Sequence, residues 1–303
     1  MTPARLRTFL AMVDAGTAKA AAADLSVTES AVSASLAALQ REVGAALFER
    51  SGRGLRLTEA GTLFTGYARR ILGLIDEGLA AARSGGIGAR GRLRLGAVTT
   101  AGEYLVPTLL ASFRRRYPDV DVALDVGPRD RILARLSDHQ LDVAIAGRPL
   151  PGLGLVSRAT RSNTLIVVAA PGADTDLGRA TWLLREPGSG TRATTLGLLD
   201  ALQLDPPVLT LGSPGSAVAS AVLGLGVTVT SADAIATRLS AGELEQVSVP
   251  GTPLRRPWHL VTTGSPTATT QLFLGHVTGS GAGPMAFRRR RAGLPTGPKR
   301  ATG

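Results

Sequence analysis

The sequence predicts an α/β chain with an all-α N-terminus: a winged helix-turn-helix head, a long linker helix and a two-lobed α/β domain. Three observations carry this expectation. Apolar residues recur at three- and four-residue intervals from Leu6 to Leu39, a second stripe of that period runs from Phe64 to Leu79, and from Arg92 onward short apolar strands alternate with amphipathic helices. A chain of 303 residues is long enough for two or three compact units, each with its own core.

The head begins with Leu6, Phe9, Leu10 and Val13, spaced to give an opening helix one apolar face. A turn at Asp14-Ala15-Gly16-Thr17 leads into the alanine run Ala18 to Ala23, a thin helix that lets its neighbours approach closely. A third helix starts at a hydroxyl cap within Ser26 to Thr28. Val32, Leu36 and Leu39 are its buried stripe, which leaves Ser30, Ser33, Ala34, Ala37 and Arg41 presented. That arrangement is a helix-turn-helix, whose last helix offers its N-terminal residues to a major groove. Phe48 to Leu57 then reads as two short strands around Gly52-Arg53-Gly54, a wing with Arg53 at its tip, suited to a minor groove or a phosphate.

The candidate DNA contacts are Thr28, Glu29, Ser30, Ser33, Ser35, Arg50 and Arg53. Hydroxyls accept or donate indifferently and discriminate bases weakly. Glu29 can accept from a cytosine amine or close a capping box with Ser26, and the spacing leaves both readings open. No arginine or lysine lies between Thr28 and Gln40, so specificity falls to Arg50, Arg53, dimer spacing and DNA deformability.

Thr58 can cap a helix running to about Ala82. Its stripe of Phe64, Tyr67, Ile71, Leu74, Ile75 and Leu79 is too long for a small head to cover, which favours pairing with a second copy over packing on its own domain. Four glycines between Ser84 and Gly91 end the helix in a hinge. Arg92 to Val98, Val120 to Val126 and Leu141 to Ala146 read as strands, with helices around Leu105 to Phe113 and Arg129 to Ser137 between them. A second unit of the same βαβαβ kind starts at Leu165 to Ala170, includes Val208 to Leu211 and Val227 to Thr230, and runs to about Val249. Pro257 to Thr262 returns as a strand to the first unit. Alternation of this kind implies parallel sheets covered on both faces, and two lobes joined by two crossing segments leave a cleft. The expected boundaries are 1–58 for the head, 59–91 for linker and hinge, 92–278 for the two lobes and 279–303 for a disordered basic tail.

The net charge of +11 would mislead if read whole, because Arg288 to Arg291, Lys299 and Arg300 place six positive charges in that tail, leaving five for the rest. With no cysteine, disulfides, thiolate metal sites and cysteine nucleophiles are excluded. No apolar run reaches the ~18 residues needed to span a bilayer, and no signal peptide precedes the first helix, so a cytoplasmic protein without membrane partners is expected. Phosphate loops, dinucleotide fingerprints, nucleophile elbows and His-Glu-x-x-His are absent, and His139, His259 and His276 stand alone. The sequence predicts no enzyme, metal or cofactor.

The most specific motif of the second half is Arg185-Glu186-Pro187-Gly188-Ser189-Gly190-Thr191-Arg192, between a short strand and a helix. Helix N-terminal amides at Gly190, hydroxyls of Ser189 and Thr191 and the guanidinium of Arg192 form an anion receptor, unless the stretch is only a glycine-rich turn capped by Thr191. Thr99-Thr100-Ala101 follows the first strand and should face the same cleft, or merely cap its helix. Arg148 and Gly226 are further candidates.

The head resembles the N-terminal domain of LysR-type transcriptional regulators, in the residues Thr28 to Leu36, Ala38 to Gly44, Leu47-Phe48-Glu49-Arg50 and Leu57 to Gly61. The match is gapless from about Leu6 to Ile71 and looser to about Val277. It departs at Glu29, where the family usually has glutamine or a neutral residue, and at Ala34, where arginine is frequent. The resemblance implies an effector domain like the periplasmic binding proteins, a homodimer or homotetramer on double-stranded promoter DNA, and RNA polymerase as a further candidate partner. The 185–192 motif resembles that of family members controlling carbon-fixation or sulfur-assimilation genes, which implies a small anionic effector. A cytoplasmic solute-binding protein or anion-using enzyme with a helical N-terminal domain is the alternative, and it would bind ligand without binding DNA.

Overall fold

The computed structural model describes residues 1–51, 54–83, 91–149, 151–264 and 266–289. It divides into two compact units, residues 1–85 with 137–140, and residues 86–136 with 141–303.

The first unit consists of α1 (Pro3–Ala15), α2 (Ala18–Leu25), α3 (Glu29–Val43), β1 (Phe48–Ser51), β2 (Gly54–Leu57) and α4 (Glu59–Arg83). Threonines start the helices. Thr17 accepts from the Ala20 amide, Thr28 from Ala31 and Thr58 from Gly61, each satisfying one amide that the first turn leaves open. Ser26 is therefore not the cap of α3. It ends α2 in a left-handed conformation, and the Ser26–Glu29 capping box read from the spacing does not form. Leu6, Phe9, Leu36, Leu39 and Leu47 close the core with Ala68 and Leu72 of α4. Phe9 meets Phe48 and Phe64 edge-on, at 5.6 and 5.3 Å between ring centres. The Gln40 side-chain oxygen accepts from the Leu47 and Phe48 amides, which ties the wing to α3. Arg53 lies outside the described residues.

The stripe on α4 divides between two tasks. Phe64 packs on the head's own core, contrary to the expectation that it belongs to a seam between copies, because Phe9 lies directly opposite. Tyr67 and Leu74 remain more than half exposed, as does Leu63, which the sequence reading had not included.

In the second unit, β3 (Gly91–Val98), α5 (Thr99–Tyr104), α6 (Val106–Arg116), β4 (Val120–Gly127), α7 (Arg129–Ser137), β5 (Val143–Ala146) and β6 (Val156–Arg161) build most of lobe one. The chain crosses at Ser162-Asn163 into lobe two. There β7 (Thr164–Ala169), β8 (Trp182–Arg185), α8 (Gly190–Ala201), β9 (Val208–Leu211), α9 (Pro214–Val222), β10 (Thr228–Ser231), α10 (Ala236–Ser240), β11 (Glu245–Val247) and β12 (Leu254–Arg255) follow. It returns as β13 (Trp258–Thr262), α11 (Ala268–Thr278) and β14 (Arg288–Arg289). The lobe-one sheet has the order β14-β6-β13-β5-β3-β4, with β3 parallel to β4 and β5 and with β13 inserted antiparallel between β5 and β6. The returning strand expected at Pro257 to Thr262 is β13.

Two expectations are corrected. Lobe two is not a second parallel unit, since β10, β11 and β12 all pair antiparallel with β7 and only β8 with β9 is parallel. A parallel neighbour needs a helical crossover, and residues 170–181, which follow β7, contain no helix. Nor does a disordered tail begin at residue 279. A 3₁₀ segment at Ser280–Met285 and β14 continue lobe one, β14 pairs with β6, and Phe287 is buried in the lobe-one core. A composition poor in apolar residues after Gly279 hides that one phenyl ring, which anchors the segment. The rest of the supposed tail, residues 290–303, lies outside the described residues. Among the described residues no helix is long and apolar enough to cross a membrane.

Candidate functional site

A cavity of about 460 Å³ lies between the two lobes. Lobe one contributes the carboxyl ends of its parallel strands: Val98 to Thr100 where β3 enters α5, Gly127 to Arg129 where β4 enters α7, and Gly147-Arg148 after β5. That is where open α/β sheets bind ligands, because helix starts and loops converge there. Lobe two contributes Arg185, Glu186 and the first turns of α8. The two crossing segments close the remaining side through Thr160, Asn163 and Arg255 to His259.

The predicted effector residues divide clearly. Thr99, Thr100, Arg148, Ser189, Gly190 and Thr191 line this cavity, brought together from both lobes. Ala101, Arg192 and Gly226 do not. Ala101 is turned inward onto the lobe-one core. The Arg192 guanidinium folds back, donating to the Arg185 carbonyl at 2.8 Å and to Thr210 Oγ1 at 3.1 Å. Gly226 meets the backbone of Thr181. Ser189, not Thr191, caps α8, its hydroxyl accepting from the Arg192 amide. The helix therefore starts at Gly190, within the motif, and places Thr191 in its first turn.

The sequence reading missed most of the cationic lining, namely Arg129, Arg185, Arg255 and Arg256. Arg185 is buried, grips Glu186 through two hydrogen bonds of 2.8 Å each, and reaches across the cleft to Thr100 Oγ1 at 3.3 Å. Two-pronged pairing satisfies a buried guanidinium better than a single contact does. Burial pushes the nearby Glu103 carboxyl above its usual range, the positive charge of Arg185 opposes this, and Glu186 adds to it. Arg129 Nε donates to Asp130 at 3.1 Å, and Arg256 donates to Thr194 Oγ1 at 2.8 Å. The Asn163 side chain donates to the Arg256 carbonyl while its oxygen accepts from Ser231, so the crossing segments are fastened to each other and to lobe two. Among the described residues, the guanidinium groups of Arg148 and Arg255 have no partner. With Glu186 the one carboxylate on the lining, the cavity has a surplus of positive charge.

In the first unit, Ser30 and Ser33 are exposed on α3, Glu29 is exposed in its first turn, and Ser35 is half-buried. Thr28 Oγ1 lies 2.9 Å from Ser30 Oγ while capping the helix, so its hydroxyl is already engaged. Arg50 is exposed on β1, opposite Leu55.

Comparison with known proteins agrees with this division. Residues 3–62 match the family model described as "Bacterial regulatory helix-turn-helix protein, lysR family", and residues 86–281 match "LysR substrate binding domain". The HTH-type transcriptional regulator CfxR of Cupriavidus necator is 34% identical over 273 residues, 86% of this chain and 85% of that protein. CbbR of Rhodospirillum rubrum is 35% identical over 252 residues, 80% of this chain and 83% of that protein. The regulatory domain of CcmR from Synechocystis PCC6803, solved in complex with 2-PG, is 29% identical with a TM-score of 0.57, covering 62% of this chain and 95% of that domain. A helix-turn-helix head and an arginine-lined two-lobed domain in one chain, each matched by its own family model, are the two parts of one kind of protein: the chain belongs to the LysR family of DNA-binding transcriptional regulators.

Proposed function

We propose that the chain acts as a homodimer or homotetramer whose paired heads hold promoter DNA, and that a small anion in the interlobe cavity governs that hold. The observation that carries the proposal is the surplus of guanidinium groups around a cavity whose single carboxylate is already engaged. An anion there gains charge-assisted hydrogen bonds from both lobes and favours their closed arrangement. The exposed face of Leu63, Tyr67 and Leu74 on α4 supports pairing with a second copy, since a contiguous apolar stripe on a helix is stable when covered. A cytoplasmic location follows from work on DNA. We read the chain as a regulator and not as an enzyme or a solute-binding protein, because α3 presents an exposed polar face with Ser30 and Ser33 suited to a groove.

The effector reading is tested by thermal unfolding with 2-PG, the ligand named for the Synechocystis relative, against uncharged glycerol. Occupancy at a hundred times the dissociation constant stabilises the folded state by about 2.7 kcal/mol, so a rise of several degrees with 2-PG and none with glycerol is expected. If neither 2-PG nor sulfate nor phosphate raises the midpoint at millimolar concentration, the cavity is not an anion site.

A further inference from the structure

We infer that the cavity is built for a ligand carrying two separate anionic groups, and that Arg255, at the end of β12 just before the returning strand, is the residue that selects for the second. This rests on the anion reading above and goes beyond it, since a single anionic group would satisfy that reading.

The cationic side chains form two poles. At the first, the Arg129 side chain runs between Gly147 and Gly190: its Cδ lies 3.7 and 3.6 Å from where a Cβ would stand on each. Arg129 is thereby held at the start of α8, and Arg148, the residue after Gly147, lines the cavity with it. At the second, Arg256 donates to Thr194 Oγ1 at 2.8 Å, and Arg255 precedes it on β12, opposite Thr164. Gly190 and Thr194 belong to one helix and are four residues apart. They share a face, and at 1.5 Å per residue they are separated by about 6 Å along the axis. The first turn of α8 is thus a ruler between the poles, and Gly190, Thr191 and Thr194 all line the cavity along it.

The charges agree with two groups. Asp130 is hydrogen-bonded to Arg129, and Glu186 neutralises Arg185. Arg148 at the first pole and Arg255 and Arg256 at the second have no carboxylate partner among the described residues. One compact anion can meet only one pole and leaves the other's cations without an anionic partner. A molecule with anionic groups separated by a chain of three or four atoms meets both, with Thr99, Thr100 and Thr191 beside its middle. Arg255 then adds affinity only when the second group is present.

Calorimetric titration of the full chain with two probes of nearly equal size tests this: 3-phosphoglycerate, with a phosphate and a carboxylate, and glycerol 3-phosphate, with the phosphate alone. Wild type is expected to bind the first at least about tenfold more tightly, the worth of one charge-assisted contact. Arg255→Gln removes an exposed group that makes no hydrogen bond or ion pair among the described residues, so folding should be undisturbed. It is expected to erase most of that preference while leaving glycerol 3-phosphate within about twofold, whereas Arg148→Gln should weaken both probes together. Equal affinity of wild type for the two probes, or an equal loss of both in Arg255→Gln, overturns the two-pole assignment while leaving the anion reading intact. If neither probe binds at millimolar concentration, the anion reading itself fails and takes this inference with it.

Discussion

Gly226→Ala is expected to destabilise lobe two by roughly 3–5 kcal/mol, a loss on the scale seen when backbone strain and a broken hydrogen bond coincide. Gly226 has φ of 151°, a conformation that side chains with a Cβ rarely adopt. A Cβ built there would stand 2.0 Å from the Thr181 carbonyl oxygen, and that oxygen accepts the Val227 amide at 2.9 Å. The same junction continues with Leu183 donating to the Val227 carbonyl at 2.8 Å, so β8 and β10 are joined through it. Neither the strain nor the overlap can be relieved by turning a flexible side chain, because the opposing atoms are backbone. Gly224→Ala is the control. That residue also has positive φ, but open space surrounds its missing Cβ, and the expected cost is only about 1 kcal/mol of local strain. Urea unfolding followed by the fluorescence of buried Trp182 in β8 reads the difference. A Gly226→Ala protein as stable as wild type would show that β8 and β10 are not joined as described. The sequence reading had placed Gly226 at the effector site, whereas here its requirement for glycine comes from strand packing.

Ser33→Glu is expected to lower affinity for the protein's own upstream intergenic DNA by about a hundredfold or more, since like charges forced together at an interface cost several kcal/mol. Ser33 is exposed on α3 while Val32 and Leu36 beside it are buried, so the new carboxylate must point where the DNA would lie. The helix offers no lysine or arginine before Arg41 to compensate it. Ser33→Ala should cost less than about tenfold, because one hydroxyl contact is worth about 1 kcal/mol. Both changes are solvent-facing, and circular dichroism should show unchanged helix content. If Ser33→Glu binds as wild type does, α3 is not the helix that enters the groove.

The head was legible because its information is local. Val32, Leu36 and Leu39 stand at helical spacing, and nothing distant decides which way they face. The hydroxyl-bearing loops at Thr99-Thr100 and Ser189 to Thr191 were also legible, because each lies between a strand and the helix it opens. What stayed hidden depends on pairing across the chain. Arg255 and Arg256 precede the returning strand, about a hundred residues from Arg148, and only the insertion of β13 between β5 and β6 brings that segment to the cleft. A pair of arginines just before Pro257 was the available signal. Arg192 was misjudged for the opposite reason. The motif located it correctly, but a side chain two residues into a helix can turn toward a neighbouring strand, as this one does toward Arg185 and Thr210. Arg185 is harder to place from the motif, because alternation along a four-residue strand does not show that its last side chain enters a cleft.

The central claim is that occupancy of the arginine-lined cavity and the grip on DNA are two readings of one equilibrium. Linkage makes this measurable, since an occupant that changes DNA affinity by some factor must have its own affinity changed by DNA by the same factor. The decisive measurement is the dissociation constant for the upstream intergenic DNA at fixed ionic strength, with and without saturating 3-phosphoglycerate, paired with the affinity for that probe with and without DNA. The account predicts a change of about fivefold or more, equal in the two directions, as expected for coupling energies of 1–3 kcal/mol. Tight binding of the probe with identical DNA affinity in its presence and absence would contradict it.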